Sequence, residues 1–448
     1  MSKKESSGMP EPDGPENISP ENIRENGPGS GKRNGLPRLK GKVSVKDTFA
    51  ALRHPNYRLW FWGQMTSLMG SWMQTTAQGY LAFQLTHSPA YLGYIGFAAG
   101  VPAWLLMLYG GVIADRFPKR TVLIVTQIIM MVLALILAVL TFTGLIQAWH
   151  IIVLALGLGA ANAFDSPARQ SFVLELIEGR EDLVNAIALN STMFNSASAV
   201  GPAFAGITYA AFGPAWCFTI NALSFVGVIA ALMMMKLKKM EKPAIKKSAL
   251  SDLKAGMVYV VKSQAMIRTL IILVTFIAVF GISFATLVPA WAVKILGGNA
   301  ATNGYMQSAR GLGALLAALF IATVSRHNIK GKLLTLGSFA YPLLFIIFSF
   351  ARWLPSSLSL LVAVGFAQIL ILNVANALIQ TLVSDEFRGR VMGIYSISFF
   401  GFVPLGSLLI GTMAEHFGEP EALLINMVIL LIATSVIFLK VPKLRSQG

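Results

Sequence analysis

One cysteine, Cys217, and five histidines are all that this chain of 448 residues offers toward disulfide or soft-metal chemistry. A lone thiol excludes an intramolecular disulfide and any multi-cysteine metal or iron–sulfur site, and the scattered histidines show no ligand spacing, so neither metal nor cofactor is expected. Charge is scarce too, at 12% of residues. No Gly-x-x-x-x-Gly-Lys-Ser/Thr loop, no His-Glu-x-x-His and no evident triad occurs, which argues against an enzyme and against self-contained ATP hydrolysis. Acids are outnumbered by bases, 20 to 36, giving a net charge of +16. Such an excess can mark a nucleic-acid partner, but the placement of the cations points elsewhere.

What fills the chain is apolar: 55% of residues are hydrophobic, more than a soluble globular domain carries. Stretches of about 20 such residues, the length that crosses roughly 30 Å of hydrocarbon, recur twelve times, at 58–84, 90–113, 121–143, 150–168, 185–212, 215–235, 267–293, 302–324, 333–351, 357–379, 390–414 and 421–440. The chain is therefore expected to be all-α, with the lipid bilayer as its main partner. Residues 1–50, rich in Pro, Gly, Glu, Asn and Lys, read as a tail without fixed structure. No apolar segment followed by a small-residue cleavage site stands there, so the first span is expected to serve as the insertion signal.

With the N-terminus inside, Lys294 and Arg352 stand on outside connectors and Arg310 inside a span, while every other Lys and Arg lies on the inside. This bias predicts both termini in the cytoplasm and leaves no role for nucleic acid. The connector 236–266, with Lys236, Lys238, Lys239, Lys242, Lys246 and Lys247, divides a first half, 51–235, from a second, 267–440, ahead of a short tail, 441–448. The halves repeat at an offset of about 210: Gln170-Ser-Phe-Val matches Gln380-Thr-Leu-Val, and Arg116 matches Arg326. Two parallel six-helix bundles with a binding site between them are expected, a transporter architecture.

After the second span comes Gly110-Gly-Val-Ile-Ala-Asp-Arg-Phe-Pro-Lys-Arg120, one acid followed by three cations at the membrane surface. It resembles the loop signature of the major facilitator superfamily. That resemblance implies a charge network steadying one state of the transport cycle, built on Gly111, Asp115, Arg116, Lys119 and Arg120; plain membrane-surface anchoring is the simpler account. The second-half counterpart, Ser325-Arg-His-Asn-Ile-Lys-Gly-Lys332, has Ser325 in place of the acid, so the latch is expected to be asymmetric. Asp385, Arg388 and Arg390 echo Glu178, Arg180, Glu181 and Asp182 and are expected to be inner-gate charges.

Asn195-Ser-Ala-Ser-Ala-Val-Gly-Pro-Ala-Phe-Ala-Gly206 is a small-residue helix in which Pro202 removes one backbone hydrogen bond. Close packing and a local bend at Gly201, Pro202 and Gly206 follow, and the segment resembles the antiporter signature of this superfamily's exporters. Further segments, His54-Pro-Asn-Tyr-Arg58, Ala161-Asn-Ala-Phe-Asp-Ser-Pro-Ala-Arg-Gln170, Asn185-Ala-Ile-Ala-Leu-Asn190 and Asp385-Glu-Phe-Arg-Gly-Arg-Val-Met392, are similar to the enterobactin-exporter and macrolide-efflux branch. The resemblance implies monomeric, proton-driven export of siderophore- or drug-like small molecules. An importer or lipid flippase on the same scaffold, and an assembly factor without transport, are the alternatives.

Charges within spans are the site candidates, since each costs about 2.5–3.5 kcal/mol to insert and is repaid by a cavity or partner. Arg310 lies about eight residues into the eighth span and is read as an anion contact or as a cation capping carbonyls near Gly311 and Gly313. Asp165, at the inner end of the fourth span, is read as a surface ion pair with Arg169 or as a proton-coupling carboxylate. Among the amides Gln64, Gln74, Gln78, Asn373 and Asn376, the pairs Gln74/Gln78 and Asn373/Asn376 share a helix face and are the better cavity candidates. Trp60, Trp62, Trp104, Trp149, Trp216, Trp291 and Trp353 are expected mostly at the lipid interface.

Overall fold

The structure, a computed structural model, describes residues 49–177, 182–237, 255–261, 265–324 and 329–445. The expected tail, the basic cluster Lys238 to Lys247, Glu178, Arg180, Glu181, Ser325 and Arg326 lie outside the described residues.

Hydrocarbon offers the backbone no hydrogen-bond partner, so each apolar run must satisfy its own amides as a helix. Twelve membrane-length helices result: α1 Pro55–Thr86, α2 Pro89–Arg116, α3 Lys119–Phe142, α4 Ala148–Leu176, α5 Leu183–Phe212, α6 Pro214–Met234, α7 Ala265–Ile295, α8 Ala300–Val324, α9 Lys330–Ser349, α10 Leu354–Leu382, α11 Arg388–Phe417 and α12 Glu419–Lys440. Ten are apolar enough along their length to cross a membrane by composition alone. The two that fall short, α1 and α5, carry Gln64, Gln74 and Gln78 and Asn185, Asn190 and Asn195, the polar load of helices that line a cavity.

The ends follow local chemistry. Proline opens α1, α2 and α6, where its missing N–H costs nothing, and Ser88 caps α2 by accepting from Tyr91 N at 3.3 Å. Gly213 and Gly418 each form the single-residue turn after the fifth helix of their half, at φ +91° and +92°. A side chain would strain both, and their equivalence is the repeat seen in the backbone. Two helices of the second half are irregular. α7 contains π-helical turns at Ile277–Gly281 and Trp291–Ile295 flanking a 3₁₀ segment at Ile282–Leu287, and α11 a π turn at Ile397–Gly401. Their first-half equivalents α1 and α5 are α-helical throughout.

Six helices form each half. α1 packs on α5 and α6, α2 on α4, and α3 on α4 and α6; in the second half α9 packs on α10 and α12, and α8 on α10. Two pairs dominate the joint between the halves, α2 with α11 and α5 with α8, with lesser contacts of α1 on α7 and α8 and of α2 on α7, and a shift of six helices exchanges one main pair for the other. The joint is tight away from the termini: Gly93 meets Gly411, and Gly304 meets Pro202 and Gly206, closely enough that a Cβ on either would clash. At this far end Ser88 Oγ and Ala90 N donate to Glu415 Oε2 at 2.7 and 3.2 Å. Lys294 pairs with Glu419 at 3.0 Å while its ammonium sits 5.7 Å from the Phe83 ring of the other half.

At the terminal end the start of α1 is bonded to its own half. His54 pairs with Asp182 at 2.9 Å, Asn56 Nδ2 donates to Lys236 O at 2.9 Å and Tyr57 OH to Ala186 O at 2.9 Å. The segments quoted for resemblance around His54 and Asn185 thus fasten the start of α1 to α5 and to the end of α6. Helical residues 255–261 belong to the second half, with Tyr259 stacked on Phe387 at 4.4 Å. Trp60 and Trp291, expected at the lipid interface, are instead 1% and 0% exposed, each filling a core where helices cross.

Candidate functional site

Two chambers lie at mid-helix depth. The larger, about 280 Å³, sits within the first half and is walled by α1, α3, α4, α5 and α6. Most of its surface is apolar, from Leu68, Trp72, Met130, Leu158, Phe194 and Phe225, and its neutral polar groups are Gln64, Ser67, Ser71, Gln74 and Thr75 on α1, Gln127 on α3, Asn162 on α4 and Asn221 on α6. Asp165 and Arg169 also line it.

The structure revises the depth of Asp165. Hydropathy ends the fourth span at 168, yet α4 continues to Leu176, so Asp165 lies eleven residues, about 16 Å at 1.5 Å each, from the helix end. The carboxylate is fully buried and is not a surface charge. Oδ1 accepts from Thr126 Oγ1 at 2.9 Å and Gln127 Nε2 at 3.0 Å, and Arg169 Nη2 stands 3.1 Å from Oδ2. The expected i,i+4 pair is therefore present and internal.

The smaller chamber, about 100 Å³, lies between the halves. Arg310 lines it from α8, with Gln307, Gly365 and Gln368 beside it and Asn195 and Ser198 opposite on α5. Among the described residues the Arg310 guanidinium has no hydrogen bond and no ion pair, so the carbonyl-capping account finds no support and the cation is left for something else. Trp72 and Phe194 line both chambers, with ring centroids 5.8 Å apart and edge to face. They are the wall between the two.

Of the amide candidates, Gln64 and Gln74 line the larger chamber, and Gln74 Oε1 accepts from Asn221 Nδ2 at 2.6 Å. Gln78 is buried but lines neither chamber; Asn373 is exposed, and Asn376 accepts from Gln380 one turn on. Sequence reading missed Trp72, Phe194, Gln127 and Asn162. A signal existed in the adjacent Thr126 and Gln127, two polar residues in the middle of an otherwise apolar run.

Of the loop residues, Lys119 binds Glu175 on α4, and Arg120 donates to the carbonyls of Met233 and Met235 at 2.6 and 3.2 Å, closing the end of α6. Asp115 and Arg116 are exposed and make no contact of this kind with the described residues. Asp385 pairs with Arg388 on an exposed surface, and Arg390 lies over the Phe387 ring at 5.2 Å. The close helix approach in this motif belongs to Gly110, where a Cβ would stand 2.2 Å from Ala163 O of α4, whereas Gly111 faces open space. Gly110→Val should therefore cost about 1–3 kcal/mol through overpacking, while Gly111→Val stays within about 0.5 kcal/mol. Thermal unfolding of the two variants in the same detergent checks this, and equal losses would contradict it. Gly201 seats α5 against the Trp72 backbone side, with a Cβ predicted 2.7 Å from Trp72 Cβ, and Gly206 seats it against Ala300 and Ala301 of α8.

Comparison with known proteins gives the same picture. A family model described as "Transmembrane secretion effector" matches residues 46–447. The chain is similar to the staphyloferrin A transporter of Staphylococcus aureus, 26% identical over 78% of this chain and 87% of that one. It is also similar to the multidrug efflux pump Tap of Mycolicibacterium fortuitum (24%, 85% and 94%) and the enterobactin exporter EntS of Salmonella typhi (24%, 80% and 85%). Among solved structures, a bacterial homologue of the lysosomal transporter Spinster, inward-facing and unoccupied, superposes with TM-score 0.67 at 13% identity over 90% of this chain and 99% of that one. A POT family transporter in complex with 5-aminolevulinic acid gives 0.69 at 10% over 87% and 96%.

Proposed function

Since the chain belongs to the transmembrane secretion effector family of the major facilitator superfamily, we propose that it is a secondary active exporter, moving siderophore- or drug-like small molecules out across the cytoplasmic membrane. That it is a multi-pass transporter of this superfamily follows from the family; direction, coupling and mechanism are the proposal. One observation carries it. The halves are drawn together at the far end by Gly93–Gly411, Gly304–Pro202 and the Ser88–Glu415 bond, while at the terminal end His54–Asp182 and Lys119–Glu175 each tie helices of the first half to one another.

Such a molecule exposes its chambers toward the terminal end, and the crowding of Lys and Arg there makes that end cytoplasmic. Cargo enters from the cytoplasm, the far-end contacts part as terminal-end contacts form, and cargo leaves outside. Asp165 is the coupling carboxylate: ionised, it holds Arg169; protonated, it releases it, and the chamber changes its charge balance with the proton gradient. Arg310 is the contact for an anionic cargo group. Asp115, Arg116, Asp385 and Arg388, exposed at the terminal end, and the half-buried Arg390 are the charges that close it. Both chambers are complete within one chain, so a monomer suffices.

Everted vesicles from cells expressing the protein, offered catecholate siderophores, macrolides and dyes, test the reading. Energised accumulation that a protonophore collapses is the expected result; none for any compound, with well-inserted protein, would favour the importer or flippase alternatives. If Asp115 contributes to closure, Asp115→Asn should insert normally yet turn over about tenfold more slowly, the effect of roughly 1.4 kcal/mol on the rate-limiting step. Wild-type turnover by that variant would remove Asp115 from the gate.

A further inference from the structure

The two chambers share a wall and differ in chemistry, and that difference describes a ligand. The smaller chamber holds one cation, Arg310, which has no hydrogen bond or ion pair among the described residues, and, at about 100 Å³, room for little more than an acid group. The larger has nearly three times the space, about 280 Å³. Its two charges, Asp165 and Arg169, cancel at 3.1 Å, and the rest of its polar lining is amide and hydroxyl. Gln64 Nε2 and Gln127 Oε1 have no hydrogen-bond partner in the protein, so a buried donor and a buried acceptor remain to be satisfied, at about 1–3 kcal/mol each while they are not. Two aromatic side chains, Trp72 and Phe194, held edge to face, line both chambers.

We infer that the chambers are two ends of one site for an elongated, singly acidic solute: an oxyanion, carboxylate or equivalent, on Arg310, and a neutral body rich in hydroxyl or amide groups reaching past Trp72 and Phe194 into the larger chamber. A second acid at the body's end finds no free cation there, because Arg169 is already held by Asp165. A purely apolar drug satisfies neither the cation nor the amides. Trp72 and Phe194 set specificity, because a ring turned flat against the ligand is what links the subsites.

The inference deepens the export reading and rests on it, but its test measures the chemistry of the chambers without transport, so the two can fail separately. Cys217 is buried, so the full-length protein is already a quiet background for thiol labelling. Gln307→Cys probes the Arg310 chamber and Asn162→Cys the other. Each is treated in detergent with the anionic sulfonatoethyl and cationic trimethylammonioethyl methanethiosulfonates, with rates normalised to a free thiol. At position 307 the anionic reagent should be favoured by about tenfold or more, given one nearby unscreened charge, and Arg310→Gln should bring the ratio close to one. At position 162 there should be no such preference. A ratio near one at 307 with Arg310 in place, or no labelling there by either reagent while the denatured protein labels fully, would overturn the anion subsite. In the double variant, bis-methanethiosulfonates of increasing length should bridge 162 to 307, read as one added linker by intact mass, and Phe194→Ala should speed the bridging. If each cysteine labels alone but no length bridges them, the single-site inference falls.

Discussion

Replacing Asp165 with asparagine is expected to abolish uphill, protonophore-sensitive accumulation in everted vesicles, a loss of at least about a hundredfold, while cargo still equilibrates down its own gradient. Asparagine keeps the shape and the Oδ1 acceptor that Thr126 and Gln127 address, but it can neither bind nor release a proton. The uncoupling should therefore be selective. One complication is built into the site: the substitution strands Arg169, and removing one partner of a buried ion pair costs about 3–5 kcal/mol. The variant alone could fail by unfolding. The double replacement Asp165→Asn with Arg169→Gln removes both charges and should recover stability without recovering coupling. Uphill accumulation at the wild-type level in the double variant would take the coupling role away from Asp165.

The second large effect concerns the seal between the halves. A Cβ at Gly304 would stand 2.4 Å from Pro202 O and 2.9 Å from Gly206 Cα, across the α5–α8 joint. Gly304→Ala introduces that clash only while the far end is closed. An overpacking cost of about 1–3 kcal/mol then becomes a shift of about 5- to 150-fold toward the state in which the far end is open. Ser88→Cys, next to Glu415, reports the change: its labelling should accelerate by a factor in that range when Gly304→Ala is added, and export should slow in step. Unchanged labelling of Ser88→Cys would mean that this joint does not govern the alternation.

The membrane explains why so much of the fold could be read in advance. Hydrocarbon forces apolar runs into helices, so the number of spans, the repeat and the one-sided cations all appear in the order of residues. What composition could not give was facing and depth. For Asp165 the sequence leaves a surface ion pair and a coupling carboxylate both open, because the apolar run stops near residue 168, whereas the helix continues through Arg169, Gln170 and Ser171 to Leu176 and buries it. Trp72 passed unnoticed because an aromatic residue in an apolar helix looks like core, and only the fold brings Phe194 of another helix to it. In the same way two adjacent glycines cannot be told apart by sequence: Gly110 meets α4 and Gly111 meets nothing. Arg310 was legible because a lone cation deep in an apolar run has no ordinary explanation.

The irregular turns of α7 and α11 give the two halves different mechanical stiffness. A 3₁₀ stretch has poorer backbone hydrogen-bond geometry than the α-helix, and such stretches and π turns mark hinges and functional sites, so a bend is cheaper at Ile277–Leu287 and Ile397–Gly401 than in the uninterrupted α1. The second half then has compliant turns in α7 and α11 whose counterparts in the first half, which holds Asp165, are regular α-helix. On the export reading proposed above, speed and grip become separable traits: substitutions that stiffen α7 would retune how often the protein cycles, and those around Asp165 what each cycle is coupled to, so selection can act on one without disturbing the other.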